Sequence, residues 1–161
     1  MRYPEDELYH LIQANNPKAI INRKTVKAIK DSQRRLPPTE QYKYEIRIES
    51  VFTGPYYGPE YIHYDKYNMT MYSNIYPLKI PRGKYKKNYE LIKPIYDHFG
   101  FLLRAEDIIA GDVNDSVGVV LSRHCILYEG IIKIVYDDEL DLTKAILVDT
   151  LDGFVQEILH G

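Results

Sequence analysis

Histidine and cysteine, the residues most often used for metal binding and nucleophilic catalysis, are scattered along this 161-residue chain. The five histidines and the single cysteine show none of the H-x-x-x-H, H-E-x-x-H or C-x-x-C spacings that gather ligands around one metal ion. His124 and Cys125 are adjacent, but their segment has a strand pattern, in which neighbouring side chains point to opposite faces. A Cys–His catalytic pair is therefore disfavoured, and we interpret Cys125 as a small core residue.

An acidic run at residues 137–141 offers the carboxylate oxygens that calcium prefers. An EF-hand loop beginning at Asp137 needs glycine at its sixth position and glutamate at its twelfth, where this chain has Leu142 and Val148. An irregular metal site or a nuclease-like carboxylate cluster stays an alternative to the solvated loop that we favour. No glycine-rich phosphate loop is present. The sequence thus predicts no enzyme: no catalytic, cofactor-binding or metal-binding residue, and no cofactor.

Tyrosine is in excess, with 16 tyrosines, 4 phenylalanines and no tryptophan. Tyrosine suits protein interfaces, although half-buried strand positions would also explain the excess. The basic segment 82–87 interleaves a tyrosine and could contact nucleic-acid phosphates or a neighbouring subunit, of which we favour the subunit. The candidate interface residues are Tyr56, Tyr57, Tyr61, Tyr72, Tyr76 and Tyr85, with Arg82, Lys84, Lys86 and Lys87 as a polar rim beside them.

Charge is distributed unevenly along a chain whose net charge is only −2. Residues 1–105 hold 18 Lys or Arg and 11 Asp or Glu, a net of +7, whereas residues 106–161 hold 3 and 12, a net of −9. The two halves could neutralise each other within one chain, or copies could assemble head to tail. A third interpretation is that the basic and acidic regions are two solvent-exposed surfaces that do not pair with each other.

The periodicity of apolar residues predicts an α+β fold, with short helices packed on antiparallel β-hairpins. The predicted elements are helices at 4–15 and 88–98, a helical turn at 105–108, paired strands at 42–49 and 61–67, strands at 117–122, 124–128 and 131–136, and a strand then a helix within 143–159. Pro94 predicts a kink in the second helix. Residues 18–30 are expected to form a turn and a short helical or extended piece, 31–41 a loop, and 68–87 short extended pieces.

An internal repeat is indicated by two segments with identical spacing. Tyr-x-Gly-x-x-x-Ile-x-Tyr-Asp occurs at 56–65 and again at 128–137. The glycine would permit a bulge or a positive-φ turn before each strand. We therefore expect two similar αββ halves, an N-terminal half at 1–87 with basic loops and an acidic C-terminal half at 88–161, forming one compact unit or two intimately packed subdomains.

The order of several short motifs resembles small virion structural proteins of large tailed bacteriophages, the jumbo phages. The motifs are Leu8, Leu11, Ile12, Ala14 and Asn16; Tyr57-Gly58; Tyr64-Asp65-Lys66; Leu103 with Glu106-Asp107-Ile108; Leu127-Tyr128-Glu129-Gly130; and Leu151-Asp152-Gly153-Phe154. The resemblance implies a non-enzymatic component of the tail, baseplate or head accessory layer. It implies location in the virion after synthesis in the host bacterial cytoplasm, with other virion proteins or further copies of this chain as partners.

Two other function classes remain open. The tail from Val148 to Phe154 resembles the end of SMI1/KNR4-like immunity domains, which would make the chain a toxin-neutralising protein. A nucleic-acid-binding module using the basic half is the second alternative, although we expect nucleic acid not to be a partner. No apolar run reaches the roughly 18 residues of a membrane span, and no signal peptide opens the chain. We therefore expect a soluble protein of a reducing compartment that does not contact membranes.

Overall fold

The computed structural model describes residues 2–51 and 60–137. Its helices are α1 (Pro4–Asn15), α2 (Met69–Ile75) and α3 (Ile92–Phe99), with short 3₁₀ turns at Asn88–Leu91 and Ala105–Asp107. Its strands are β1 (Val26–Arg35), β2 (Tyr44–Ser50), β3 (Glu60–Tyr64), β4 (Tyr67–Asn68), β5 (Leu78–Ile80), β6 (Val119–Val120), β7 (Tyr128–Glu129), β8 (Ile131–Ile132) and β9 (Ile134–Tyr136). This is an α+β fold, as the periodicity predicts.

The largest sheet is antiparallel and has the strand order β1-β2-β3. The predicted pairing of β2 with β3 is confirmed, with Ile46 opposite Ile62. The loop predicted at 31–41 is wrong in its first part, because β1 continues to Arg35. A register irregularity between Ile29 and Arg34 interrupts the ladder, and there the Ser32 hydroxyl accepts a hydrogen bond from the Arg47 amide at 2.8 Å. β1 is an edge strand, so polar side chains at this end do not break it.

Three short strand pairs accompany this sheet within the described residues. β4 pairs with β7 and β5 with β9, both parallel, while β6 pairs with β8 antiparallel. The continuous strand predicted at 131–136 is therefore wrong, since it breaks at Lys133 into two strands with different partners. The strand predicted at 124–128 is also wrong except at its last residue. Its apolar side chains from Cys125 to Leu127 are fully buried, but in irregular backbone and not in a strand.

The helices predicted at 4–15 and 88–98 are confirmed, the second as a 3₁₀ turn followed by α3. α1 begins at Pro4, and the Asp6 carboxylate accepts a hydrogen bond from the Tyr3 amide at 3.2 Å, which satisfies one donor of the first turn. Pro94 lies in the first turn of α3, where the missing N–H costs no helical hydrogen bond. The helix ends at Gly100 with φ of +87°, a left-handed cap that favours glycine.

The prediction of two similar αββ halves is contradicted by strand pairing. Ile62 and Tyr64 lie on β3, which is antiparallel to β2, whereas their counterparts Ile134 and Tyr136 lie on β9, which is parallel to β5. Matching side-chain patterns therefore do not give matching neighbours, because pairing is decided by the rest of the fold. Gly130 does adopt the expected positive φ, at +95°, whereas Gly58 lies outside the described residues.

One hydrophobic cluster runs through the described part of the chain, from Leu8 on α1 to Tyr136 on β9. It contains residues from both sides of position 87, so the two predicted halves share a core; the domain boundary there stays a prediction. The strand and helix predicted within 143–159 lie outside the described residues. Among the helices of the described ranges, none is long and apolar enough to cross a membrane.

Candidate interaction surface

Helix α2 is fixed to the protein along its inner side. Met69 and Ser73 are buried there. The Ser73 hydroxyl donates to the Ile131 carbonyl at 3.1 Å and accepts from the Lys133 amide at 2.9 Å. The Thr70 hydroxyl accepts from the Ile131 amide at 2.8 Å. These bonds hold α2 against β8, about 60 residues away along the chain.

The outer side of α2 consists of large exposed side chains. Met71 is 70% exposed and Ile75 is 71% exposed, while Tyr72 and Tyr76 are about half exposed. We call these four residues the α2 surface. Their spacing of one, four and five residues places them together on one helical face, and α2 contains no charged residue. An exposed apolar patch of this kind is typical of a protein-binding site.

A row of aromatic rings connects the α2 surface to the core. The row, named in order from the α2 surface, is Tyr76, Tyr72, Phe99, Phe101, Tyr128 and Tyr67, with neighbouring ring centroids 5.3, 5.7, 5.9, 4.0 and 5.8 Å apart. Tyr67, at its far end, is again about half exposed. Phe101 and Tyr128 are buried, and burial raises the pKa of the Tyr128 hydroxyl. Because each ring rests on the next, the exposed tyrosines are backed by fixed groups and lose little entropy on binding.

The predicted interface tyrosines divide among several parts of the molecule. Tyr72 and Tyr76 belong to the α2 surface. Tyr61 lies on β3 opposite Arg47, on the three-stranded sheet. Tyr85 is only partly exposed and packs against the core. Tyr56 and Tyr57 lie outside the described residues.

The predicted polar rim at 82–87 is largely engaged within the chain. The Arg82 guanidinium lies 4.3 Å from the Tyr136 ring centroid, and the Lys84 ammonium lies 5.5 Å from the Tyr85 ring centroid. Lys87 forms an ion pair with Asp112, and Lys86 is exposed. A shallow hollow of 620 Å³ is lined by Lys84 and Tyr85 of this turn and by residues of α3.

Sequence reasoning missed Met71 and Ile75 because it expected extended structure at 68–87, and it missed Phe99, which lies just after the helix predicted at 88–98. A usable signal was present. Asn68 is a favourable N-cap, and its side chain accepts from the Thr70 and Met71 amides at 3.0 and 3.4 Å. The segment that follows buries Met69 and Ser73, four residues apart, as a helix does.

The described residues do not gather metal-ligating side chains into a cluster. Across residues 2–51 and 60–137, no group of three or more His, Cys, Asp or Glu side chains is placed to hold a metal ion. Cys125 is fully buried, and burial raises the pKa of its thiol to about 11. The thiol is therefore protonated at neutral pH, and its neighbour His124 is exposed.

Comparison with known proteins gives one match. A model of a family of unknown function (DUF7941) matches residues 2–158. Since this covers nearly the whole sequence, the chain belongs to that family. Neither the curated proteins nor the solved structures contain a match.

Proposed function

We propose that this chain is a non-enzymatic structural protein of a large tailed phage particle, and that it binds a neighbouring protein of the particle through the α2 surface. The ordered motifs that resemble jumbo-phage virion proteins support the type of particle. The exposed apolar face of α2 supports the mode of action, and it is the observation on which the proposal rests.

The α2 surface offers favourable binding energy to a partner that covers it. Burying one large apolar side chain contributes about 1.5–3 kcal/mol, so Met71 and Ile75 together would contribute several kcal/mol before the cost of association. Tyr72 and Tyr76 are of the residue type that dominates interface energies. Because α2 carries no charge, its partner is expected to offer an apolar groove, with charged groups only at the edge.

The test replaces the two most exposed apolar residues. Met71→Gln/Ile75→Gln should leave the fold intact, since both side chains point outward, and should reduce incorporation into particles by at least about tenfold. The matched control is Ile20→Gln, because Ile20 is 69% exposed but lies before β1. Tagged chains are supplied during particle assembly, and quantitative mass spectrometry measures their amount in purified particles. Circular dichroism checks folding.

Two results would contradict the proposal. If the double variant entered particles as well as wild type, the α2 surface would not be the contact. If wild-type protein were missing from purified particles, the assignment to the virion would be wrong.

A further inference from the structure

A second site, separate from the α2 surface, lies between β1 and the segment 121–124. It is a cavity of 650 Å³ whose lining includes five cationic side chains and two carboxylates, with His124 at its edge. We call it the basic cavity. Its cations are Lys30, Arg34, Arg35, Lys66 and Arg123. Three of them lie in the basic stretch that ends at Arg35, and the fold adds Lys66 and Arg123 from two other parts of the chain.

Lys66 is the central group of the basic cavity. It is only 9% exposed, and its ammonium lies 4.6 Å from the centroid of the Tyr44 ring. Its one hydrogen bond to a described residue is long, 3.4 Å to the Arg123 carbonyl. An ammonium has three donors, so two donors lack a partner among the described residues. Burial lowers the pKa of this lysine, which means that the charged form is incompletely compensated.

The other cations fall into paired and unpaired groups. Lys30 forms an ion pair with Glu106, and Arg34 forms one with Glu45. Arg35 lies over the Tyr44 ring at 5.8 Å, and neither it nor Arg123 has a carboxylate within ion-pair distance in the described part of the chain. Three cations, Lys66, Arg35 and Arg123, are thus available to an anion.

Gln33 adds a hydrogen-bond acceptor to the same cavity. Its side-chain nitrogen donates to the His124 carbonyl at 3.1 Å, while its side-chain oxygen is buried without a partner. An unsatisfied buried acceptor is costly, so a small displacement of the cavity wall that let a ligand hydroxyl or N–H group reach this oxygen would be favourable. The carboxylate of Glu129, by contrast, already accepts a hydrogen bond from the Tyr44 hydroxyl.

We propose that the basic cavity binds a small phosphorylated molecule with hydroxyl groups, of the sugar phosphate or nucleotide class. The phosphate would contact Lys66, Arg35 and Arg123, and a hydroxyl would donate to Gln33. The cavity volume lies within the roughly 300–1,000 Å³ of small-molecule sites. Asp31 and Glu129 on the wall oppose a continuous polyanion, so a compact ligand is favoured over a nucleic-acid backbone.

Isothermal titration calorimetry of the full chain tests this proposal. The probes are ribose 5-phosphate, ADP, unphosphorylated ribose and single-stranded oligothymidine. Ribose 5-phosphate or ADP should bind with a stoichiometry of one molecule per chain, and unphosphorylated ribose should not bind. The tighter-binding of the two phosphorylated probes indicates whether the cavity prefers a sugar phosphate or a nucleotide. Arg123→Gln and Lys66→Met should each weaken binding about tenfold, the loss expected for a charged hydrogen bond.

The control variant is Lys27→Gln. Lys27 is exposed on the same strand, β1, but lies outside the cavity, so it removes the same charge without changing the site. Since Lys66 is buried, circular dichroism checks the fold of Lys66→Met; if that variant does not fold, exposed Arg123 decides. Failure of both phosphorylated probes to bind at millimolar concentration would overturn the proposal. So would equal binding of ribose, tighter binding of oligothymidine, or equal weakening by Lys27→Gln.

Discussion

Replacing Gly130 with alanine should detach α2 from the sheet below it. Gly130 has a φ of +95°, between β7 and β8. A Cβ at this position would overlap the Thr70 hydroxyl oxygen and lie 3.1 Å from the Thr70 amide nitrogen and 3.2 Å from the Asn68 side-chain oxygen. These atoms are the N-terminal cap of α2 and its hydrogen bond to β8. The substitution therefore strains the backbone and displaces the groups that hold α2.

The expected decrease in the free energy of unfolding has three contributions. A left-handed backbone costs a residue with a Cβ about 1–2 kcal/mol. Loss of the Asn68 cap costs about 1 kcal/mol, and loss of the Thr70–Ile131 hydrogen bond about 1 kcal/mol. The free energy of unfolding should fall by about 3–4 kcal/mol, which corresponds to a Tm lower by about 10 °C in a domain of this size.

Gly83→Ala is the matched control. Gly83 also has a positive φ, +77°, but a Cβ there meets no atom within 4 Å, so only the backbone cost of about 1–2 kcal/mol remains. Thermal unfolding followed by circular dichroism measures both variants. In a Thr70→Ala background, which removes the overlapping oxygen, Gly130→Ala should cost less than it does in wild type. Equal decreases in Tm for Gly130→Ala and Gly83→Ala would refute this reasoning. So would a Gly130→Ala decrease in Tm that is as large in the Thr70→Ala background as in wild type.

Two further predictions concern titratable groups. Arg34 and His63 both form hydrogen bonds with the Glu45 carboxylate and hold its pKa below the ordinary value. In acid the unfolded chain therefore binds more protons than the folded chain. The stabilisation is fully present above the unfolded pKa and is lost as pH falls through the folded pKa. In Glu45→Gln, Tm should therefore decrease less as the pH is lowered, whereas Glu40→Gln, at an exposed position, should behave as wild type. The same dependence of Tm on pH in wild type and Glu45→Gln would contradict this. The buried Cys125 thiol should resist iodoacetamide at about pH 8 until denaturant is added, and rapid labelling of native protein, measured by mass spectrometry, would show that it is accessible.

Elements governed by local signals could be predicted from the sequence. Pro4 followed by three acids predicts the start of α1, since both signals act within one helical turn. The alternation over 42–49 predicts a strand, and β2 forms at Tyr44–Ser50, where Ile46 and Ile48 are buried. The glycine of the Tyr-x-Gly motif predicts a bulge or a positive-φ turn, and Gly130 adopts a positive φ.

Elements governed by distant contacts could not be predicted in this way. α2 has only seven residues, too few for helical periodicity to stand out, and it is held by bonds to Ile131 and Lys133. The break between β8 and β9 arises because β8 pairs with the nearby β6, whereas β9 pairs with β5, more than 50 residues earlier in the chain. The repeat failed for the same reason, since identical spacing of Ile and Tyr does not specify which strand lies alongside.

The distribution of charge along the sequence likewise does not locate the candidate functional sites. Lys87 in the conspicuous basic run is neutralised by Asp112, while the unpaired cations of the basic cavity lie at three separated positions. Lys30–Glu106 and Lys87–Asp112 both join the basic part of the chain to the acidic part. Such exposed pairs are worth about 1 kcal/mol or less each, but they cancel charge locally. Part of the +7 and −9 asymmetry is therefore matched within one chain, which favours internal neutralisation over head-to-tail attraction and leaves the uncharged α2 surface as the stronger candidate for assembly.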